Sequence, residues 1–144
     1  MNKKELEATF SGCLKGFKKV RSTWVRETAA KMLQGVELQQ SSWGGQFYVN
    51  LGVGLPDPNG GKRSVSQLDV VARLDQLAPN ADILAALDLE QPRSVEERVA
   101  AIREALLSVA LPFLDRLDTP DSLAEAYKAG ELKNFAVRTR VRDL

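Results

Sequence analysis

The chain has 144 residues, 44% of them hydrophobic and 27% charged, with a formal net charge of +1. Those proportions are ordinary for a globular protein, and no apolar run reaches membrane-span length, since 105–114 is interrupted by Ser108 and Pro112. A single cysteine, Cys13, and the lack of histidine exclude an internal disulfide, Ser-His and Cys-His dyads and histidine-ligated zinc.

Any proton transfer would fall to lysine, carboxylate or tyrosine, each of which needs a strongly shifted pKa near neutral pH. An enzyme is therefore disfavoured, and no cofactor or metal is implied. The opening residues, MNKKELEATF, lack the apolar core of a secretion signal, so a cytoplasmic location is expected. Charge is unevenly spread. Residues 1–31 carry eight Lys/Arg against three Asp/Glu, 32–90 carry three against seven, and 91–144 balance at nine each.

The length predicts one domain over 1–144. Asn2 and Glu5 form a helix-start pair, and Leu6, Phe10, Cys13, Leu14 and Phe17 follow at helical spacing. The predicted helix spans 2–16, with Gly16 at its exit. A sheet is predicted over 20–77, from the β-rich runs 20–28, 31–40 and 46–55 and the segment 67–77. The run 46–55 alternates Phe47, Val49, Leu51, Val53 and Leu55 with Tyr48, Asn50, Gly52 and Gly54. A two-residue turn at Gly44-Gly45 would oppose Val36 to Val53, Leu38 to Leu51 and Gln39 to Asn50, giving one apolar and one polar face. Segment 67–77 fits either strand or helix periodicity and is assigned to a strand. After a break at Pro79-Asn80, helices are predicted over 81–140. One is capped by Ser94 with Glu97, carries a stripe of Val95, Val99, Ile102, Leu106, Val109 and Phe113, and is ended by Pro112 and the RLDTP turn at 116–120. Another is capped by Thr119 with Pro120 at its first position and ends at Gly130. The last residues read as a fraying helix or tail. The expected fold is α+β: an antiparallel meander of about four strands, with an N-terminal helix and C-terminal helices packed on one face.

Several motifs fail on inspection. PDPNGGKRS has Pro56 and Arg63 where a phosphate loop needs glycine and a hydroxyl. As a calcium loop it has Leu68 in place of the required glutamate. KGFKKVRS begins like an RNA-recognition signature but then departs from it. Binding of nucleic acid through Lys15, Lys18, Lys19 and Arg21 is therefore disfavoured, and these read first as a solvated flank. Asp69, Asp75, Asp82 and Asp88 read as solvated carboxylates, and Trp24 and Trp43 as packing or hairpin-tip residues. Arg73, between apolar neighbours, is expected to pair with Glu37 or an aspartate.

The polar sheet face holds the ligand-binding candidates: Glu37, Gln39, Ser41, Tyr48 and Asn50, with Arg73. Beside them stand Gly35, Gly52 and Gly54, and strand-interior glycines often mark close approach by another backbone or a ligand.

Taken in order, GFKKVRSTWVRE, LQQSSWGGQFYVNLGV, the lone arginine of VARL, and ALPFLDRLDT resemble a bacterial family of unknown function, number 4304. The likeness rests on Gly16-Phe17-Lys18, Trp24 with Arg26, Gln39 with Ser41, and Asn50-Leu51-Gly52. It implies a small α+β bacterial protein of the cytoplasm and supports a strand at 67–77, without implying an activity. The first expectation is thus a non-enzymatic binding module with a protein partner. The alternatives are a small-ligand-binding protein or enzyme using the polar sheet face, and nucleic-acid binding through the basic N-terminal segment.

Overall fold

The protein is described by a computed structural model covering residues 1–58, 62–78 and 82–144. Asn2 caps helix α1 (Lys3–Cys13) as expected: its side chain accepts from Glu5 N at 2.9 Å, and the Glu5 carboxylate accepts from Asn2 N at 3.2 Å. Gly16 then takes a positive φ of 87°, which lets the chain reverse into the sheet without steric cost.

Among the described residues the sheet has six antiparallel strands, not about four, in the order β1 to β6. The β-rich run 20–28 is in fact the end of one strand and the whole of the next. β1 (Lys18–Val20) and β2 (Thr23–Glu27) are joined at Arg21-Ser22, with Arg21 at φ 59°. Next come β3 (Leu33–Gln40) and β4 (Phe47–Gly54). The 67–77 segment divides: β5 (Val70–Arg73) is strand, and α2 (Leu74–Leu77) turns away as a helix. The C-terminal residues are no fraying tail, because β6 (Ala136–Val137) pairs with β5 and is followed by α7 (Thr139–Arg142).

The β3–β4 register also differs from the expected one. Val36 opposes Leu51, Leu38 opposes Val49, Gln39 opposes Tyr48 and Glu37 opposes Asn50. The connection is the loop 41–46, not a two-residue glycine turn. This moves the pairing by two residues, and an even slip preserves the faces. Trp24, Val36, Leu51 and Ala72 therefore line up across the inner face, with Gln34, Val53 and Val70 in the next row. The expected loop at 56–61 falls partly on 59–61, and the break at 79–80 wholly, outside the described residues.

The inner face is covered by helices. Leu6, Phe10 and Cys13 of α1 pack into the same core as Leu123 and Ala126 of α6 (Pro120–Lys128). Phe10 stacks on Trp24 at 5.2 Å between ring centres, and Trp24 Nε1 donates to Ser11 Oγ. α3 (Ile83–Ala86) adds Ile83. α4 (Val95–Ala105) runs past Pro112, through a π-helical turn (Leu106–Ala110) into α5 (Leu111–Arg116), and ends where the expected RLDTP turn begins. The widened turn accommodates a proline ring that would clash in a regular helix. Its buried side is Arg98, Ile102, Ala105, Leu106, Ala110 and Leu114, while Val95 is 41% exposed. Arg98 is buried with no carboxylate partner among the described residues, and its guanidinium donates to the carbonyls of Ala86, Asp88 and Gln91. Gln34 ties the sheet to the helices by donating to Leu114 O at 2.6 Å while accepting from Arg26 Nε. No helix among the described residues is long and apolar enough to cross a membrane.

Candidate functional site

The outer face of the sheet divides into three zones. The first holds most of the expected ligand-binding residues. Thr23, Glu37, Asn50 and Arg73 form one cross-strand row, with the Gln39–Tyr48 pair beside it. Asn50 Nδ2 donates to both Glu37 Oε1 and Gln39 Oε1 at 2.8 Å. The Arg73 guanidinium stacks 4.3 Å from the Tyr48 ring centre and pairs with Asp75 through two bonds of 3.0 and 3.1 Å. Ser41 sits beyond the strand end, where its Oγ accepts from Trp43 N. The structure brings five of the six together, but their polar groups largely satisfy one another.

The second zone is the glycine trough. A Cβ on Gly52 would lie 2.7 Å from Leu68 Cδ1 and 3.1 Å from Val65 O, and one on Gly35 would lie 2.8 Å from Val65 Cγ2. The close approach signalled by the glycines is made by the chain itself. Val65 and Leu68, from the 3-10 turn Val65–Gln67 and the residue after it, are buried on the sheet. Asp69 anchors this segment. Far from being solvated, it is 1% exposed, accepts from Leu55 N at 2.7 Å and pairs with Arg63 at 3.3 Å. Arg63 also donates to Leu55 O. From the C-terminal end, Arg138 N donates to Asp69 O and Arg138 Nε to Leu68 O. Arg140 donates to Pro56 O and stands 3.9 Å from Asp69.

The third zone is an open groove of about 1020 Å³ between the β1–β2 hairpin and residues 56–58 and 62–65. Val20, Val25, Leu33 and Val65 supply apolar surface, and Val20 is 50% exposed. Lys18, Arg21, Lys31, Lys62 and Arg63 line it against Glu27 and Asp57. Lys31 pairs with Glu27 and Arg63 with Asp69. Among the described residues, Lys18, Arg21 and Lys62 enter no ion pair.

The four basic residues singled out in the sequence do not share one surface. Lys18 and Arg21 line the groove. Lys19 points to the other face, where it binds Glu7 at 2.7 Å, and Lys15 is exposed in the turn after α1. Sequence reasoning missed Lys62 and Arg63 as part of a basic site. Their signal was a basic pair directly after a glycine-rich loop, and that of Asp69 a lone carboxylate between Leu68 and Val70.

Elsewhere, Cys13 is a buried free thiol whose pKa is raised by desolvation, with the Arg103 guanidinium pulling the other way. Asp75 pairs with Arg73, Asp82 with Arg93, and Asp88 accepts from Glu90 N. Among the described residues no three His, Cys, Asp or Glu side chains cluster so as to hold a metal ion. Trp43, at the loop 41–46, is 90% exposed.

Residues 14–116 match the model of a domain of unknown function, DUF4304. No curated protein and no solved structure matches the chain. The chain belongs to the DUF4304 family, and β6 and α7, with Arg138 and Arg140, lie beyond the matched segment.

Proposed function

We propose that this DUF4304 protein is a non-enzymatic binding module that recognises an acidic segment of a protein partner in the basic groove. The carrying observation is a set of cations that enter no ion pair among the described residues, Lys18, Arg21 and Lys62, around an exposed apolar floor. Individually, exposed ion pairs contribute only about 0–1 kcal/mol. Affinity in such a groove comes from covering Val20, Val25 and Leu33, while the cations select and steer an anionic chain. The polar face around Asn50 is a weaker candidate for a small ligand, because Asn50, Glu37 and Gln39 bond to one another. Nucleic acid is disfavoured as the partner, because Lys19 is held by Glu7 and the remaining cations are few. A bacterial, cytoplasmic setting belongs to the same proposal; the free Cys13 suits a reducing compartment.

The test is fluorescence anisotropy with a labelled peptide of alternating glutamate and valine, its glutamine counterpart, and a single-stranded oligonucleotide. The acidic peptide is expected to bind, more weakly as salt rises, and the glutamine peptide at least about tenfold less tightly. Joint substitution Lys18→Glu, Arg21→Glu and Lys62→Glu should abolish binding while leaving the circular dichroism spectrum unchanged. A triple variant that binds like the parent, or an oligonucleotide that binds more tightly than the peptide, would overturn the proposal.

A further inference from the structure

The groove has an open strand along one side. Among the described residues β1 lies at the edge of the sheet and pairs only with β2, and it is exposed at all three of its residues. Lys18 and Val20 face the groove, and Lys19, between them, faces the other side of the sheet. Val20 opposes Thr23 across the Arg21-Ser22 turn. In an antiparallel ladder closed by a two-residue turn, the flanking pair exchanges both bonds and alternate residues turn outward. The Lys19 N–H and C=O are thereby directed at the vacant edge.

Exposed edges invite pairing, and charge on the edge is a common defence against it. Here the charge is of one sign: Lys15, Lys18, Lys19 and Arg21 all lie on or beside β1. A second copy of this chain presenting the same edge would bring like charges together. An acidic chain would not.

We infer, on the basis of the groove reading proposed above, that the acidic partner segment binds as an added antiparallel strand on β1. The pattern it must carry follows from the alternation of side chains along a strand. An acidic residue stands beside Lys18 and an apolar one, two positions away, covers Val20 and enters the groove. The residue between them opposes Lys19, exchanges main-chain bonds with it, and projects away from the groove. The recognised chemistry is an extended acidic–any–apolar segment, read partly through its backbone.

The experiment uses the whole protein and a labelled peptide repeating Glu-Ser-Val-Ser. Two derivatives carry the same number of N-methyl groups, one on the serines and the other on the glutamates and valines. Strand addition places the serine amides against β1, so serine methylation should weaken binding at least about tenfold. Methylation of the outward amides should leave affinity within about twofold. If the parent peptide binds and both derivatives lose affinity equally, or neither does, strand addition is wrong while the groove reading stands. If neither this peptide nor the glutamate–valine peptide binds, both fall together.

Discussion

The trough and the groove lie side by side on the outer face, and Val65 contributes to both. In the trough, Gly35, Gly52 and Gly54 leave the strand backbones bare, and Val65 and Leu68 settle directly onto them. In the groove, Val25 and Leu33 stand in the neighbouring positions, opposite Gly35 and Gly54, and their side chains hold the chain off. The distribution of Cβ atoms decides which half of the face the protein covers for itself. The energies agree with the choice. Interior glycines cost about 0.5–1 kcal/mol each, whereas burying a Val or Leu side chain contributes about 1.5–3 kcal/mol. The covered half is a second small core, and the open half stays surface.

The contrast is broken most severely at Asp69. Asp69→Ala removes a buried carboxylate, leaves Leu55 N without its acceptor and takes the counter-charge from Arg63, whose guanidinium keeps its bond to Leu55 O. Loss of one member of a buried pair costs about 3–5 kcal/mol; partial exposure of Arg63 puts the expected loss at about 3 kcal/mol, read by urea denaturation. A loss under about 1 kcal/mol would mean that burial of Val65 and Leu68 alone secures the segment. A smaller effect is expected from Gly52→Ala, about 1–3 kcal/mol by overpacking, because the new methyl meets buried Leu68 and the Val65 carbonyl. Gly12→Ala is its counterpart. No atom lies within 4 Å of a Cβ there, and within helix α1 alanine should stabilise by up to about 1 kcal/mol. Equal shifts in the two denaturation midpoints would show that close approach is not what the trough glycine provides.

Sequence reading succeeded where one physical signal was repeated. Period-two alternation over 46–55 assigned the two faces, and those survived a register error because the true offset is even. The cap of α1 was legible because Asn2 and Glu5 are three residues apart. The failures have local causes. Arg21 takes a left-handed conformation without the glycine or asparagine that usually marks such a turn, so the β1–β2 hairpin looked like one strand. β6 is two residues long and is held in place partly by Arg138 donating to Asp69 and Leu68, contacts that no periodicity encodes. In α4 the apolar stripe pointed to Val95 and Val99, while the core took Arg98, whose charge is met by backbone carbonyls of the segment just before the helix, an arrangement no periodicity encodes. Of the site, the trough glycines and the row Glu37, Asn50 and Arg73 were legible. The groove was not, since its two walls are far apart in the chain and meet only after the sheet forms.

The smallest expected effect on stability is at Val20, and there the comparison becomes sharpest. Val20 stays 50% exposed in the folded protein, so replacing it gives up little of the burial that stabilises the fold. Val20→Ser should shift unfolding free energy by no more than about 0.5 kcal/mol, far less than either trough substitution. Its effect should appear instead in binding, because a side chain left half-exposed by folding gains the rest of its burial when a partner covers it. The same acidic peptide should bind Val20→Ser several-fold more weakly, with salt dependence unchanged, since Lys18, Arg21 and Lys62 remain. A loss of stability as large as that of Gly52→Ala would show that Val20 belongs to the packed interior and that the groove floor is not free surface. Unchanged stability together with unchanged peptide affinity would confine recognition to the cations, and the apolar floor would have no part in it.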